Sequence, residues 1–391
     1  MNISIVMPCL NEAETLASCI QKANSWIAKS GLTCEVIIAD NGSTDGSQDI
    51  ALANGARVVP VSARGYGSAL YSGCQAAKGR WIVMGDSDDS YDFSSLDAFV
   101  IKLNEGNDLV MGNRFLGGIK PGAMPWKNRY IGNPILSWVG RMLFRCEAKD
   151  FHCGLRAFTK KAFQAMDLRT TGMEFASEMV IKANIFKMKI AEVPITLSRD
   201  GRSRPPHLRP WRDGWRHLRF MFLFSPKWLF IIPGIMVMAV MLPLYLILLN
   251  GPFKVGLIEL DVHTLFYAEM GVVIGYLAIC LGYMVKLFGV REGLLRGQRN
   301  LDNFYSLPLL EIGSVVGFIL IIAGGFLGSY ALNSWRIEGF GGLPTHPLLR
   351  IVSLSTALIL IGAITFLMSL IMGFLSLPTR RDELPPKFIT Q

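Results

Sequence analysis

Two aspartates spaced two residues apart are the strongest candidates for chemistry in this chain. Asp86 and Asp88 follow the apolar segment Trp81–Met84, which has the composition of a buried strand and stops at Gly85. Two carboxylates at the end of a strand repel each other, so they favour a bound cation. Mg2+ in proteins is usually held by one or two carboxylates together with phosphate oxygens. A polar turn that caps the next helix is the alternative, because Asp and Ser favour turns and N-caps.

Short apolar segments predict the elements that position these aspartates. Helical segments separate the predicted strands, which indicates an α/β domain with a Rossmann-like, mostly parallel sheet. The carboxyl ends of parallel strands share one edge of the sheet, where ligands bind. The predicted strands cover residues 3–7, 35–39, 58–59, 81–84 and 108–111. The polar residues expected at their shared edge are Asn11, Glu12, Asp40, Asp86, Asp88 and Arg114.

A glycine pair marks the start of one helix. Gly65-Tyr66-Gly67 precedes a helical segment that runs through Ala77. The pair has two interpretations, an ordinary helix start or part of a glycine-rich loop at the same edge of the sheet.

The second half of the chain is far more apolar than the first. Of the 391 residues, 51% are hydrophobic and the mean hydropathy is +0.36, which is too apolar for an ordinary soluble protein. A bilayer is crossed by about 20 apolar residues. Four segments qualify, at residues 228–249, 266–288, 309–332 and 351–377. The seven cysteines have no CxxC or zinc spacing and are expected to be reduced thiols.

Basic residues predict how the spans are oriented. Arg291, Arg296 and Arg299 lie between the second and third spans, and Arg380 and Arg381 lie in the tail. The positive-inside rule places both segments, and with them the N-terminal domain, in the cytoplasm. Met1 leads directly into a predicted strand without a signal peptide, which agrees with that orientation. The protein is expected to be a multi-pass protein of the inner or plasma membrane.

Ionisable residues within the spans have two interpretations. Glu269 and Glu311 lie near the starts of the second and third spans. Each is either an interfacial residue or a functional group inside the membrane.

An arginine-rich segment joins the two halves. Residues 199–219 contain seven arginines and suit either nucleic acid or a membrane surface. Trp211, Trp215, Leu218 and Phe222 share one helical face, and an amphipathic helix rich in Trp and Arg before a membrane span favours the bilayer interface. No nucleic acid is expected. The predicted organisation is a domain at 1–204, an interfacial hinge at 205–227, four membrane helices at 228–377 and a cytoplasmic tail at 378–391.

Seven ordered motifs occupy the N-terminal half of the chain. They are VMPCLNE at 6–12, IADNGSTDG at 38–46, GDSD at 85–88, VMGNR at 110–114, DFHCGLR at 150–156, IAEVPI at 190–195 and RDGRSR at 199–204. Together they resemble glycosyltransferase family 2. Within that family the chain is most similar to the dolichyl-phosphate mannose synthase-like, or polyprenyl-phosphate glycosyltransferase, branch, which implies a GT-A fold.

The resemblance implies a role for each matching residue. Nucleotide binding is expected of Pro8, Asn11, Glu12, Asp40, Asp86 and Ser87. Mg2+ or Mn2+ is expected on Asp86, Asp88 and Ser90, although position 90 is Ser where Gln is common. Phosphate or lipid-phosphate contacts are expected of Arg114, Arg129, Arg156, Arg199, Arg202 and Arg204. In the region expected to bind the acceptor, Asn133 stands where a Ser often follows the arginine that matches Arg129.

Two acids receive roles with open alternatives. Asp88 and Asp150 are the expected catalytic residues, and Asp150 is either a positioning group or a weak base. Glu178 is either an acid on a helix surface or a contact of the site.

The resulting expectation is a metal-dependent, inverting transfer of a sugar from a nucleotide sugar to a polyprenyl phosphate, undecaprenyl or dolichyl, at the cytoplasmic face. The partners would be these two substrates and the bilayer, with a homo-oligomer as a further option. One alternative is a processive polysaccharide synthase, which typically carries a Gln-x-x-Arg-Trp motif that this sequence lacks. The other is a non-enzymatic membrane scaffold on a transferase fold, against which the intact Asp86, Asp88 and Arg114 argue.

Overall fold

The computed structural model describes residues 1–203, 210–292, 295, 309–341 and 345–377. The chain forms two compact units, and the boundary between them lies between Met221 and Phe222. This boundary falls inside the predicted hinge at 205–227, so the hinge residues are divided between the units.

The N-terminal unit is built on one seven-stranded sheet. The strand order is β3-β2-β1-β4-β6-β5-β7, and β6 runs antiparallel to both of its neighbours while the other pairs are parallel. The predicted α/β class with a mostly parallel sheet is confirmed. The strands are β1 Ile3–Cys9, β2 Cys34–Asp40, β3 Arg57–Pro60, β4 Trp81–Met84, β5 Leu109–Asn113, β6 Arg156–Thr159 and β7 Ile190–Pro194.

Helices follow most of these strands. A single π-helical turn, Asn128–Gly132, leads directly into one of them. The helices of this unit are α1 Leu16–Ser30, α2 Ser47–Ala53, α3 Tyr66–Ala76, α4 Asp97–Asn104, α5 Arg114–Gly117, α6 Asn133–Phe144, α7 Lys160–Met166, α8 Phe175–Ile185 and α9 Pro210–Leu223, whose last two residues lie beyond the boundary.

Tight packing on the central strands fixes where the polar strand ends lie. Ile3, Ile5 and Met7 of β1 are fully buried, and each such side chain contributes about 1.5–3 kcal/mol by leaving water. Helix α3 lies directly on β1 and β2. A Cβ at its Gly73 would lie 2.5 Å from Cγ1 of Val6, so only a glycine permits this approach. The start of α3 is therefore held at a fixed place near the sheet edge.

The C-terminal unit contains the four candidate membrane helices expected from the sequence. They are long and apolar enough to cross a membrane, and cover Lys227–Asn250, Val262–Arg291, Leu310–Ile337 and Pro347–Leu375. The prediction of four spans is confirmed, with the second longer at both ends than predicted. The predicted tail at 378–391 lies outside the described residues. The elements are α10 Ile232–Asn250, β8 Phe253–Val255, β9 Ile258–Leu260, α11 Val262–Arg291, α12 Leu309–Ile337 and α13 Thr345–Leu375.

Polar side chains join α11 to α13. Glu269 is only 6% exposed, and its carboxylate accepts hydrogen bonds of 2.6 Å from Ser353 and 2.5 Å from Thr356. Two turns further along α11, the hydroxyls of Tyr276 and Thr365 lie 2.7 Å apart. Glu269 therefore faces the neighbouring helix, where its oxygens are satisfied without water.

Candidate active site

The site lies where the chain reverses direction across the sheet. From β1 the chain builds β2 and β3 on one side, then crosses to add β4 on the other. Loops after β1 and β4 therefore diverge and leave a crevice at the carboxyl ends of these strands, which is where open α/β sheets bind ligands. Asn11 and Glu12 come from the first loop, and Asp86 and Asp88 come from the second.

Asp86 is half-buried and its carboxylate is tightly surrounded. The hydroxyl of Tyr66 donates to Asp86 Oδ1 at 2.8 Å. On the other side, a Cβ at Gly154 would lie 2.6 Å from Asp86 Oδ2. Burial and then the like charge of Asp88 raise the pKa of Asp86 to about 6, although the Tyr66 hydrogen bond and the charge of Arg202 act in the opposite direction.

Asp88 is oriented by its own loop and paired with a distant arginine. Its Oδ1 accepts from the backbone N–H of Ser90 at 3.1 Å and from the Ser90 hydroxyl at 2.6 Å. Its Oδ2 lies 2.9 Å from Nη2 of Arg202. Ser90 thus holds Asp88 in place, and the second carboxylate oxygen already contacts a positive charge.

Arg202 contacts three carboxylates at the crevice. Besides Asp88, it contacts Glu12 Oε1 at 3.1 Å and Asp200 Oδ2 at 2.8 Å. Burial opposes its charge, but the hydrogen bonds that Arg202 donates to Asp200 and the charges of Asp88 and Glu12 raise the pKa of Arg202 above its ordinary value. Its segment is also anchored through the backbone, since Gly201 N–H donates to the carbonyl of Asp88 at 3.0 Å.

A pocket of about 320 Å³ borders this cluster. Asn11 adopts a φ of 59°, and its Oδ1 accepts from the backbone N–H of Thr44 at 2.8 Å, which joins the loops after β1 and β2. The pocket is large enough for part of a nucleotide. Its lining residues are Asn11, Glu12, Glu14, Thr44, Asp45 and Arg202.

Three predicted nucleotide-binding residues shape the loops around this pocket. Asp40 is 2% exposed and accepts from Nε2 of Gln48 at 2.6 Å and from the backbone N–H of Gly42 at 3.2 Å. The Ser87 hydroxyl donates to the carbonyl of Pro8 at 2.6 Å and ties the loop after β4 to the end of β1. These side chains are engaged within the protein and hold the crevice in shape.

Arg114 and Asp150 form a buried ion pair. Nε and Nη2 of Arg114 each lie 2.7 Å from an oxygen of Asp150, and the backbone N–H of Arg114 donates to the same carboxylate at 2.9 Å. Asp150 is 0% exposed and Arg114 is 7% exposed. Burial alone would lower the pKa of Arg114, but the hydrogen bonds that it donates to Asp150 raise that pKa above its ordinary value. The positive charge of Arg114 is therefore permanent.

Arg156 lies deeper still. It is 0% exposed, and its guanidinium donates to the carbonyls of Cys153 at 2.8 Å, Ala176 at 2.5 Å and Phe151 at 3.0 Å. In this arrangement it has no surface for a phosphate and instead joins β6 to α8 and to the loop that carries Asp150.

Glu178 is buried, so its interpretation as an acid on a helix surface is wrong. Its carboxylate lies 2.9 Å from Nζ of Lys182 and accepts from the backbone N–H groups of Arg169 and Thr170. Both members of the Glu178–Lys182 pair are 0% exposed.

Two of the remaining predicted phosphate-binding arginines, Arg129 and Arg199, lie among the described residues. Arg129 is half-buried in the π-helical turn, with its guanidinium 5.4 Å from the ring centroid of Tyr130. Arg199 is exposed. Arg204 lies outside the described residues.

The donor set at the crevice fits a hard divalent cation that arrives with its own phosphate ligands. The described residues contain no group of three or more His, Cys, Asp or Glu side chains that could hold a metal ion. Asp86 and Asp88 supply one or two carboxylates, which is the usual protein contribution to a Mg2+ site. The Arg202 guanidinium against Asp88 acts as a stand-in cation and indicates that this edge requires positive charge.

Three residues of the site were not identified from the sequence. Tyr66 holds Asp86, Asp200 holds Arg202, and Oε1 of Glu192 accepts from the backbone N–H of Asp150 at 3.0 Å. The sequence signal for Tyr66 is a bulky polar residue between two glycines. The signal for Glu192 is a carboxylate within the otherwise apolar strand β7. No local pattern assigned a partner to either.

Comparisons with known proteins cover both units. A family model described as "Glycosyl transferase family 2" matches residues 4–166, and one described as "Glycosyltransferase family 2 C-terminal transmembrane region" matches residues 283–376. Low-salt glycan biosynthesis hexosyltransferase Agl6 of Haloferax volcanii is 35% identical over 350 residues, which are 88% of this chain and 82% of that protein. Glycosyltransferase AglJ of the same organism is 32% identical over 213 residues, 54% of this chain and 68% of that protein.

Solved structures give a weaker likeness. Glucosyl-3-phosphoglycerate synthase from Mycobacterium tuberculosis, in complex with Mn2+, uridine diphosphate and glucosyl-3-phosphoglycerate, is 25% identical with a TM-score of 0.44. The match covers 57% of this chain and 77% of that chain. A TM-score this low does not establish a shared fold, so the fold assignment rests on the strand order and the family match.

Proposed function

Because this chain belongs to glycosyltransferase family 2, we propose that it transfers a hexose from a nucleotide sugar to the phosphate of a polyprenyl lipid. Its N-terminal unit has the GT-A fold of that family, and its apolar helices make it a membrane protein. The hexosyl group is suggested by the similarity to the hexosyltransferase Agl6 over 82% of that protein. The product would be a polyprenyl-phosphate hexose of inverted anomeric configuration.

The contacts of Arg202 with carboxylates at the crevice are the observation that carries this proposal. Arg202 lies 2.9 Å from Asp88 and 3.1 Å from Glu12, beside a pocket large enough for part of a nucleotide. Departure of a nucleoside diphosphate builds negative charge, which preorganised cations stabilise. Arg202 supplies one such cation, and Asp86 and Asp88 would hold Mg2+ or Mn2+ as the second. The bound ion would act as a Lewis acid on the diphosphate oxygens.

The acceptor requires little activation in this reaction. A lipid phosphate is already an anion at neutral pH, so its oxygen can attack the anomeric carbon without a strong general base. The bond from that carbon to the diphosphate breaks as the new bond forms. We therefore assign Asp150 a positioning role, because both of its oxygens contact Arg114 and it is fully buried. Arg114 would in turn contribute a fixed positive charge behind Asp86.

The acceptor would approach from a bilayer. Trp126, Tyr130 and Trp138, in and just before α6, are 61%, 67% and 56% exposed, and Trp215 of α9 is 61% exposed. Exposed Trp and Tyr side chains beside Lys and Arg are typical of segments at a membrane interface. We propose that these residues hold the N-terminal unit on the cytoplasmic leaflet.

The test is a transfer assay with the full-length protein in detergent. Radiolabelled UDP-, GDP- and dTDP-hexoses are incubated one at a time with undecaprenyl phosphate, with either Mg2+ or Mn2+. We expect one labelled product that extracts with the lipid, requires the divalent ion and is absent for Asp88→Asn. Failure to label the lipid from any of these donors would count against the proposal. A long labelled polymer would favour the processive synthase instead.

A further inference from the structure

We propose that Tyr66 is a positioning residue that holds the Asp86 carboxylate in the orientation needed to bind the divalent ion. This inference rests on the function proposed above. The Tyr66 hydroxyl donates to Asp86 Oδ1 at 2.8 Å, and this contact joins the start of α3 to the end of β4. Tyr66 itself would touch neither the metal nor the sugar nucleotide.

Contacts on both sides restrict the orientation of the Asp86 carboxylate. Oδ1 is fixed by Tyr66, while Oδ2 lies where a Cβ at Gly154 would approach to 2.6 Å. The phenol hydroxyl is the donor in this contact, because an ionised carboxylate can only accept a hydrogen bond. The carboxylate is thus held between a hydroxyl and a glycine backbone.

Tyr66 is presented by the two glycines on either side of it. Gly65 has a φ of 135°, and a Cβ there would lie 2.2 Å from the carbonyl oxygen of Thr171. A Cβ at Gly67 would lie 2.5 Å from the carbonyl oxygen of Thr170. The Gly67 N–H also donates to Thr171 O at 2.9 Å. The start of α3 therefore lies directly against the backbone of residues 170–172, which only glycines permit.

A buried ion pair in turn fixes that backbone. Glu178 accepts from the N–H of Thr170 at 2.8 Å and from its hydroxyl at 2.7 Å. Lys182 lies 2.9 Å from Glu178 and donates to the carbonyl of Asp167 at 2.6 Å. Both charged side chains are fully buried, so this support is rigid. A series of contacts thus connects Glu178 to Asp86 through the backbone of residues 170–172 and Tyr66.

This arrangement resembles the way outer residues orient metal ligands in other proteins. A hydrogen-bond donor behind a carboxylate fixes its rotamer, and loss of such a donor typically lowers metal affinity about 10- to 100-fold. Tyr66 should therefore affect the binding of the ion itself, even without a nucleotide. A direct contact of Tyr66 with the nucleotide would leave the binding of the ion alone unchanged.

The first test measures Mn2+ binding to full-length protein in detergent by electron paramagnetic resonance, with Mn2+ alone as the ligand. Tyr66→Phe removes one hydroxyl and should weaken Mn2+ binding about 10- to 100-fold. Tyr71→Phe is the matched control on the same helix. Its hydroxyl accepts a hydrogen bond from Nε2 of Gln75 at 3.0 Å, so its loss should leave Mn2+ binding unchanged. Equal Mn2+ affinity of Tyr66→Phe and the wild type would overturn the proposal.

A second test needs no metal, so it separates this inference from the proposed function. Thermal unfolding of the metal-free protein is compared for Tyr66→Phe, Asp86→Ala and the double variant. If Tyr66 holds Asp86, the two shifts in Tm should be non-additive by about 2 °C or more. A wild type that binds no Mn2+ but shows this coupling would refute the metal site and retain the positioning role. Additive shifts would refute the positioning role whatever the Mn2+ result.

Discussion

Two clusters of charge in the N-terminal unit use the same residue types in opposite ways. The crevice cluster consists of Glu12, Asp86, Asp88 and Arg202, and the buried cluster consists of Arg114, Asp150 and Arg156. In the crevice cluster, the Asp88 side chain is 15% exposed and the Arg202 side chain is 10% exposed beside a pocket. In the buried cluster, exposure is 7% for Arg114 and 0% for the other two.

The difference lies in whether the partners can be exchanged. Arg202 meets Asp88 and Glu12 across 114 and 190 residues of chain, through single contacts at the edge of a pocket. Arg114 contacts Asp150 through three hydrogen bonds, and the guanidinium of Arg156 donates to three backbone carbonyls. A cation that borders solvent can be exchanged for a ligand, whereas a fully enclosed pair supports the fold. We infer that the crevice cluster acts on substrate and that the buried cluster maintains its shape.

The largest expected effect is on stability, from breaking the buried pair. Asp150→Ala leaves Arg114 as an uncompensated buried charge, which should lower the free energy of unfolding by about 3–5 kcal/mol. Chemical denaturation of the full chain in detergent measures this change. Asp150→Leu combined with Arg114→Met removes both charges and should recover most of the loss. A decrease below about 1 kcal/mol for Asp150→Ala would mean that the pair is not the permanent contact described here.

The second-largest expected effect is a loss of activity when the crevice cluster is changed. Asp88→Asn should reduce kcat at least about 100-fold, because stabilisation of the leaving diphosphate is lost. Its unfolding free energy should change by less than about 1 kcal/mol, since the ion pair with Arg202 borders solvent. Asp92→Asn, at an exposed aspartate four residues on, is the matched control and should keep full activity. The proposed difference between the two clusters would be contradicted if Asp88→Asn lowered the free energy of unfolding and left kcat unchanged.

A change behind Asp86 should have an intermediate effect. Gly154→Ala would bring a methyl group to 2.6 Å from Asp86 Oδ2 and force the carboxylate to move. We expect metal affinity to fall about 10- to 100-fold, as measured by the Mn2+ concentration that gives half-maximal transfer. Gly214→Ala, where the added methyl would meet nothing within 4 Å, serves as the control. Unchanged Mn2+ dependence in Gly154→Ala would show that the Asp86 position is not critical.

The smallest effect is a pH dependence of stability. The folded protein raises the pKa of Asp86 from 3.8 to about 6, so the ionised carboxylate opposes folding. Its contribution to stability is most favourable below pH 4 and is lost as pH rises through about 6. Asp86→Asn should therefore raise the Tm of the metal-free protein by about 2–4 °C at pH 8. This advantage should shrink as the pH falls through 6. An advantage that is constant with pH would argue against the raised pKa.

The sequence predicted the parts of the molecule that depend on local patterns. Apolar segments located strands β1 to β5 and the four membrane helices, and Gly85-Asp86-Ser87-Asp88 marked the end of β4. Two strands of the N-terminal sheet were not predicted. The short segment of β6, Arg156–Thr159, begins with a charged residue and is inserted antiparallel between β4 and β5, and the parallel strand β7, Ile190–Pro194, is interrupted by Glu192.

Long-range contacts account for what the sequence did not reveal. A motif specifies which residue types are present, but not which way they point. Arg114, Arg156 and Arg202 all stand in matching motifs, yet Arg156 is directed into the core and only Arg202 borders the pocket. Likewise, the burial of Glu178 depends on a backbone turn at residues 169–170 that no local pattern indicates.

The most direct test of the central claim is an anomalous-difference map from crystals of the full-length protein with Mn2+ and the donor nucleoside diphosphate. The account predicts one Mn2+ peak at coordinating distance, roughly 2.0–2.2 Å, from an oxygen of Asp86 or Asp88, with the diphosphate completing its shell and Arg202 moved from Asp88. A diphosphate bound elsewhere, or one bound in this crevice with Arg202 still on Asp88 and no Mn2+ peak, would contradict it.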